Sequence, residues 1–369
     1  MNILYYTEII GVGGVENMML QWVGHSDPDI HFDVFVNKVV DETNRQKFIN
    51  LGCEVFEANC SVRNIAQKAR KLANVFKHKK YDIVHVHTSL AVDFFVNALA
   101  KRFGVRHRIA HSHNVPVIPH RLTRWADKLC KPLLRHYTTD YYGCSKQAAI
   151  SLFGNKKKLI DKYIVIKNGI EVSSFRFSMS DREEKRKELC ISGDDYVIGS
   201  VGRLDYQKNY GFLLRCVSSV KAEKKRIKVI IIGDGEERYA LSEYAQRHGI
   251  GLILTGKRDD VNKYLSCFDL FVLTSRYEGF PVVMMEAQAN GLTCLVSNAI
   301  PEESFLGHEI CRVSLEEKCW IQTMQKMIDS YVFCRKDRDF GYLSVLNSGF
   351  DISSCSHELM MNYRKMAGL

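Results

Sequence analysis

Short runs rich in β-branched and aromatic residues alternate with longer amphipathic stretches along most of this 369-residue chain, and this alternation constrains the fold more than any other feature. In the first half the β-rich runs are Asn2 to Thr7, His31 to Asn37, Asp82 to His87, Arg106 to His111 and Tyr141 to Cys144, with helical patterns such as Ile65 to Phe76 and Ala91 to Phe103 between them. Alternation of this kind predicts a parallel sheet covered by helices on both faces. After Asn168-Gly169 the polar segment Ser173 to Asp195 carries Asp181-Arg182-Glu183-Glu184-Lys185-Arg186-Lys187 and reads as a crossover followed by a solvated helix. The alternation resumes at Tyr196 to Gly202 and continues through Lys228 to Gly233, Leu252 to Thr255, Asp269 to Ser275 and Thr293 to Ser297. At roughly 150 residues per domain the chain is too long for one core. The expectation is an α/β protein with two doubly wound Rossmann-like domains, about residues 1–175 and 190–350. Ligands of such sheets sit at the C-terminal ends of the strands, so a central cleft between facing domains is the expected site.

No apolar run approaches the roughly 18 residues needed to span a bilayer. Met1-Asn2 passes directly into Ile3-Leu4-Tyr5-Tyr6-Thr7 without a basic leader, so a cytoplasmic location is expected. Twelve cysteines are scattered with no Cys-x-x-Cys pair, which favours buried reduced thiols over disulfides or zinc. Basicity is confined to the first half: residues 1–180 hold 26 Lys and Arg against 15 Asp and Glu, while the remainder holds 26 against 27. No zinc finger, RNP pattern or helix-turn-helix accompanies it, so no nucleic-acid partner is expected. An anionic membrane surface or a phosphate-bearing acceptor suits a one-sided basic domain.

The densest chemistry lies in Ser275-Arg276-Tyr277-Glu278-Gly279-Phe280-Pro281-Val282-Val283-Met284-Met285-Glu286-Ala287. A buried strand precedes it and a helix running to Asn290-Gly291 follows, with Pro281 suited to that helix's first turn. Glu278 then sits at a strand's C-terminal mouth and Glu286 about one and a half turns into the helix. The helix start between them offers free N–H groups and the positive end of a dipole, a seat for phosphate. A carboxylate on each side of a phosphate seat suits a nucleotide sugar, with ribose at one end and hexose at the other. Upstream, Arg203 and Lys208 share one strand-to-helix loop, where two cations would clamp a diphosphate. Gly11-Val12-Gly13-Gly14-Val15-Glu16 follows the first strand, but Glu16 takes the third glycine's place in the dinucleotide fingerprint. His111 and His113 end another strand and would hydrogen-bond a sugar. His85, His87, His111 and His113 have no Cys or carboxylate partner at zinc-binding spacing, so no metal is expected.

Gly13-Gly14-Val15-Glu16, Ala110-His111-Ser112-His113-Asn114, Gly143-Cys144-Ser145-Lys146, Lys167-Asn168-Gly169-Ile170, Val201-Gly202-Arg203-Leu204 with Lys208-Asn209, Gly233-Asp234-Gly235 and Glu278-Gly279-Phe280-Pro281 through Glu286 occur in that order. Together they resemble the retaining glycosyltransferases of family 4, with GT-B architecture, and within it the bacterial enzymes of capsular and extracellular polysaccharide synthesis. The likeness runs from about residue 1 to 300. It implies that Arg203 and Lys208 hold the diphosphate, Glu286 the ribose hydroxyls and Glu278 the hydroxyls of the donor sugar. Gly279, Phe280, Pro281 and Val282 would cap sugar and phosphate, while Gly13 and Gly14 approach the diphosphate from the other domain. The family's donor-sugar histidine maps onto His113, with His111 as the neighbouring alternative. Lys257 and Arg258 fall where the family contacts the base, and a helix over 352–369 is expected to pack back on the first domain. The implied reaction moves a hexose, from a UDP-linked donor, to a hydroxyl of a growing lipid-linked glycan with retention. The nucleotide sugar is a substrate, and neither cofactor nor metal is implied.

Leu122, Trp125, Leu129 and Leu133 recur at helical spacing between His120 and Arg135, among Arg121, Arg124, Lys128, Lys131 and Arg135. Such a helix either faces a core with a basic solvent side or lies on the inner face of an anionic membrane, the second being the expectation carried forward. A nucleotide-sugar epimerase of the same architecture and a non-catalytic partner subunit are the rival readings.

Overall fold

The computed structural model describes the chain from Met1 to Leu369 except residues 12, 62–63, 116–119, 222–224, 308 and 334. It divides into two compact units, one formed by Met1–Gly169 with Ile352–Leu369 and the other by Ile170–Asp351.

Unit 1 contains β1 (Asn2–Ile10), β2 (His31–Val39), β3 (Glu54–Glu57), β4 (Ile83–Thr88), β5 (His107–Ser112), β6 (Asp140–Gly143) and β7 (Tyr163–Val165). They form one parallel sheet in the order β3-β2-β1-β4-β5-β6-β7. Every residue of β4 is buried, as a central parallel strand covered on both faces requires. One face packs against the helix Gly14–Gly24, which buries Met18, Met19, Trp22 and Val23, and against the helix Ile352–Ala367. That last helix buries Ile352, Leu359, Met360 and Tyr363, and its Ser356 hydroxyl donates to the Trp22 carbonyl at 3.3 Å. At about 1.5–3 kcal/mol for each large apolar side chain, this burial is comparable with the whole stability of a domain. The C-terminal helix is thus an integral part of unit 1.

Unit 2 contains β8 (Asp195–Val201), β9 (Arg226–Ile232), β10 (Gly251–Gly256), β11 (Leu270–Leu273), β12 (Cys294–Ser297) and β13 (Ile310–Val313). Its parallel order is β10-β9-β8-β11-β12-β13. In both sheets the order reverses beside the first strand, between β1 and β4 and between β8 and β11, which marks a topological switch point in each.

The segment read as a solvated helix is different. A helix does form at Met179–Glu188, but Arg182 and Arg186 turn inward onto the buried Asp269 at 2.5 and 3.3 Å. Asp269 also accepts from the Val197 amide at 2.8 Å and the Tyr331 hydroxyl at 2.7 Å, and these partners hold its carboxyl below the ordinary range despite burial. A run of alternating charges looked like a solvent face because the acid it serves lies more than eighty residues downstream.

Candidate active site

In unit 2 the loop after β8, Gly202 to Asn209, meets the loop after β11, Thr274 to Pro281, at the switch point. The Thr274 hydroxyl donates to the carbonyls of Lys208 at 2.9 Å and Asn209 at 3.2 Å, and the Arg276 amide donates to the Gln207 carbonyl at 2.8 Å. Asn209 has φ 58°, in the left-handed region that asparagine enters more readily than most residues. Its side-chain oxygen accepts from the Arg276 guanidinium at 2.8 Å, which locks this turn to the second loop. The loop after β9 closes from the other side. A Cβ on Gly233 would lie 1.9 Å from the Gly202 carbonyl oxygen, so only glycine permits the crossing.

These contacts bring Lys208 and Glu278 together. The Lys208 ammonium lies 2.7 Å from Glu278 Oε1, which also accepts from the Ser275 hydroxyl at 2.6 Å, while Gln207 Nε2 donates to Oε2 at 3.3 Å. The two charged side chains are only 15% and 8% exposed. Arg203 is placed on the same loop but stands out in solvent at 72% exposure, with Asp205 4.0 Å away. The two cations therefore share a loop as expected but differ in state, one held in a buried pair and the other in a long, solvent-exposed one.

Pro281 is the N-cap of the helix Val282–Ala289 and so stands one position before its first turn. Gly279 and Phe280 lead into it, and the Phe280 ring stacks on Phe350 at 5.4 Å, fixing the turn. The first amides of the helix have no partner within it. Glu286 lies half-buried further along, and among the described residues its carboxylate has neither hydrogen bond nor ion pair. Burial pushes it up to about 7. Lys257 and Arg258 follow β10, both exposed, with the Arg258 guanidinium 5.8 Å from the Tyr264 ring. The β9 and β10 ends are joined by the Gly233 amide donating to the Gly256 carbonyl at 2.9 Å, so both loops leave the same end of the sheet.

In unit 1, Gly13 is the N-cap of the helix Gly14–Gly24, and a Cβ on Gly14 would meet nothing within 4 Å. The preceding Val12 lies outside the described residues. His113 follows β5, and four histidines gather on one face of β4 and β5. His85 Nε2 and His111 Nδ1 are 3.0 Å apart and His87 Nδ1 and His113 Nε2 are 2.9 Å apart, in two hydrogen-bonded pairs. The pairs lie against each other, with ring centroids 4.2 Å apart for the stacked His85 and His87 and 4.1 Å for the tilted His111 and His113. Burial holds all four well below the usual imidazole range, His113 at about 3, so they are neutral. Ring nitrogens of His85, His87 and His111 lie within 4.8 Å of one another, a closeness that spacing in the sequence did not reveal. His85 Nε2 and His111 Nδ1 already face each other across one hydrogen bond, and His85 Nδ1 is taken by the Tyr363 hydroxyl at 2.6 Å.

Two family models match the chain in tandem: Glycosyltransferase Family 4 over residues 12–174 and Glycosyl transferases group 1 over 181–339. The chain belongs to the family 4 glycosyltransferases. It is 28% identical over 352 residues to the putative glycosyltransferase EpsF of Bacillus subtilis, covering 92% of this chain and 90% of that one. It is 28% identical over 279 residues to the UDP-Gal:alpha-D-GlcNAc-diphosphoundecaprenol alpha-1,3-galactosyltransferase of Escherichia coli, 70% of this chain and 67% of that one. The structure of Anabaena HepE in complex with UDP and glucose superposes with a TM-score of 0.80 at 18% identity, over 99% of this chain and 100% of that one, a likeness of fold.

Proposed function

We propose that the protein transfers a hexose from a UDP-sugar to a hydroxyl of a lipid-linked glycan during polysaccharide synthesis, with retention and without a metal. The observation that carries this reading is the unpartnered Glu286 carboxylate on the helix that begins beside the Lys208–Glu278 pair. Arg203 and Lys208 stabilise the diphosphate as negative charge develops on it, Glu286 takes the ribose hydroxyls and Glu278 those of the hexose. The backbone from Gly279 to Val282 receives phosphate and sugar oxygens, and Lys257 and Arg258 face the base. His113 and the helix start at Gly13 and Gly14 are assigned to donor sugar and diphosphate. The acceptor oxygen bonds to the anomeric carbon as the bond from that carbon to the phosphate oxygen breaks. The electron pair leaves with UDP, and the acceptor's proton passes to a phosphate oxygen. The relatives support the donor and acceptor classes: one is described as using UDP-Gal and a diphosphoundecaprenol-linked sugar, and HepE was solved with UDP and glucose.

The test is UDP release from a panel of UDP-sugars in EDTA, with and without lipid-linked acceptor. Release that requires acceptor supports transfer. Acceptor-independent isomerisation of the sugar would assign an epimerase, and dependence on added metal would remove the metal-free mechanism.

Glu286 gives this reading a pH signature. A carboxyl near 7 is mostly protonated at pH 6 and mostly ionised at pH 8, and only the ionised form accepts from both ribose hydroxyls. UDP-glucose, whose diphosphate does not titrate here, should therefore bind about tenfold more tightly at pH 8 than at pH 6. Calorimetric titration checks this, and Glu286→Gln should flatten the dependence. Equal slopes in the two proteins would remove Glu286 from the nucleotide.

The helix Arg121–Tyr137 supports a membrane-side acceptor. It turns Asp127 and Leu134 inward and leaves Leu122 86%, Trp125 69%, Leu129 65% and Leu133 42% exposed, with Arg121, Arg124 and Lys128 beside them. Among the described residues no helix is long and apolar enough to cross a membrane, so attachment would be by this face. Each basic side chain near an anionic leaflet contributes about 1 kcal/mol. Vesicles containing phosphatidylglycerol should co-sediment the protein at low salt and release the Trp125→Ser/Leu129→Ser variant. Equal partitioning of both proteins would rule this face out.

A further inference from the structure

We infer that His87 is a positioning residue which fixes the ring orientation and tautomer of His113. The inference rests on the proposed contact of His113 with the donor sugar, and it concerns how unit 1 prepares that contact. His87 lies within β4, is paired in register with His111 and is fully walled in. Its Nδ1 lies 2.9 Å from Nε2 of His113, the first residue beyond β5. The layer beneath is another hydrogen-bonded line: the Tyr5 and Tyr363 hydroxyls at 3.2 Å, Tyr363 to His85 Nδ1 at 2.6 Å, and His85 Nε2 to His111 Nδ1 at 3.0 Å. The His111 ring lies against His113 at 4.1 Å, tilted by 33°, and Trp22 stacks on His85 and His111. The His113 ring is thus held in its plane by His87 and from below by His111. Its Nδ1 is buried with no hydrogen-bond partner among the described residues.

Two arguments separate this arrangement from ordinary packing. The first is its cost. His87 Nε2, His111 Nε2 and His113 Nδ1 are all buried and unpartnered in one cluster, and such atoms are expensive, whereas apolar side chains of the same shape would remove the penalty. Stability alone does not select four histidines here. The second is proton bookkeeping. All four rings are neutral, so each carries one proton, and the His87–His113 hydrogen bond contains one proton. If His87 supplies it, His113 holds its own proton on Nδ1 and presents a donor. If His113 supplies it, Nδ1 is a bare acceptor. Either way the character of the free His113 nitrogen is tied to the position of the proton on His87, so the two rings change tautomer only together, as an orienting second residue and a ligating histidine do.

The experiment combines tautomer and rate measurements on the whole protein. In long-range nitrogen–proton NMR spectra, His113 should show one tautomer in the wild type and a mixture in His87→Leu. With UDP-glucose and acceptor, His87→Leu should lower kcat about tenfold with little change in the donor KM. His87→Asn, whose amide reaches the same place as Nδ1, should restore most of it. His113→Ala should lose at least as much as His87→Leu, and adding His87→Leu to it should cost nothing more. Multiplying losses in the double variant would overturn the inference, as would an unchanged single His113 tautomer in His87→Leu. A normal rate in His113→Ala would instead remove the sugar contact, while the tautomer spectra still decide whether His87 holds the ring.

Discussion

Lys208→Ala should lower transfer at least a hundredfold and at the same time destabilise unit 2 by about 3 kcal/mol. The two losses have different origins. Turnover falls because a cation that meets the developing phosphate charge is gone. Stability falls because Glu278, 8% exposed, is left in its site without the ammonium that lies 2.7 Å away in the native protein. The Ser275 hydroxyl and Gln207 amide still donate to Glu278, which holds the penalty at the lower end of that for broken buried pairs. Lys208→Ala/Glu278→Gln should therefore melt close to the wild type and remain inactive. Thermal unfolding alongside initial rates reads both quantities. If the double variant melts as low as the single one, the pair is not what couples the loops; near-normal turnover in Lys208→Ala would dismantle the proposed site.

The second large effect belongs to unit 1 and to acid. His85, His87, His111 and His113 ionise far below their unfolded value near 6.5, because burial disfavours the imidazolium and, in His85, His87 and His111, other histidines of the cluster disfavour it further. The sign follows from proton counting. Below pH 6.5 the unfolded chain binds protons that the folded unit refuses, so stability falls as pH falls, and above about pH 7 it is level. Each histidine contributes about 1.4 kcal/mol per pH unit once the unfolded chain is protonated. The buried Asp93 carboxyl, pushed up to about 6, opposes part of this loss below pH 6, so the histidines set the direction of the slope. The rings touching the cluster, Tyr5, Trp22, Tyr142 and Tyr363, carry no negative charge that would rescue an imidazolium. A melting temperature for unit 1 that stays constant from pH 7.5 to 5 would contradict this. His85→Gln should shallow the slope by one histidine's share.

Both expectations depend on pairings that the sequence does not display, although much of the frame was legible. The central strands were readable because parallel strands buried on both faces carry continuous apolar runs, as in β11 and the Val229–Ile232 end of β9. The strands missed were β3, β7 and β13, three or four residues each at the sheet margins, where strands are short and carry charges such as Glu54 and Glu57. In the site, Glu278, Glu286, Arg203 and Lys208 could be singled out because each sits at a strand end or helix start marked by glycine or proline. The contact of Lys208 with Glu278 could not, because it joins residues seventy positions apart and follows from strand order. The histidine layers were hidden for a similar reason. Alternation put His85 and His87 on one face, but only the register of β4 with β5 sets His87 opposite His111. Tyr363, which joins Tyr5 to His85 in the inner line, comes from a helix 278 positions beyond His85.

That late arrival bears on how the molecule is made. Unit 2 is an insertion within unit 1: the chain leaves at Gly169 and returns at Ile352, and Ile170 and Asp351 are bridged side by side. During translation the inserted unit has all its strands while the one begun first still lacks its closing helix. Until Leu359, Met360 and Tyr363 emerge, the face of β1 and β4 that bears Tyr5 and His85 has no cover from that helix, and the Tyr5 hydroxyl and His85 Nδ1 lack their Tyr363 partner. The unit whose synthesis begins first is thus completed only after the inserted one, by the docking of a helix that follows unit 2 in the chain.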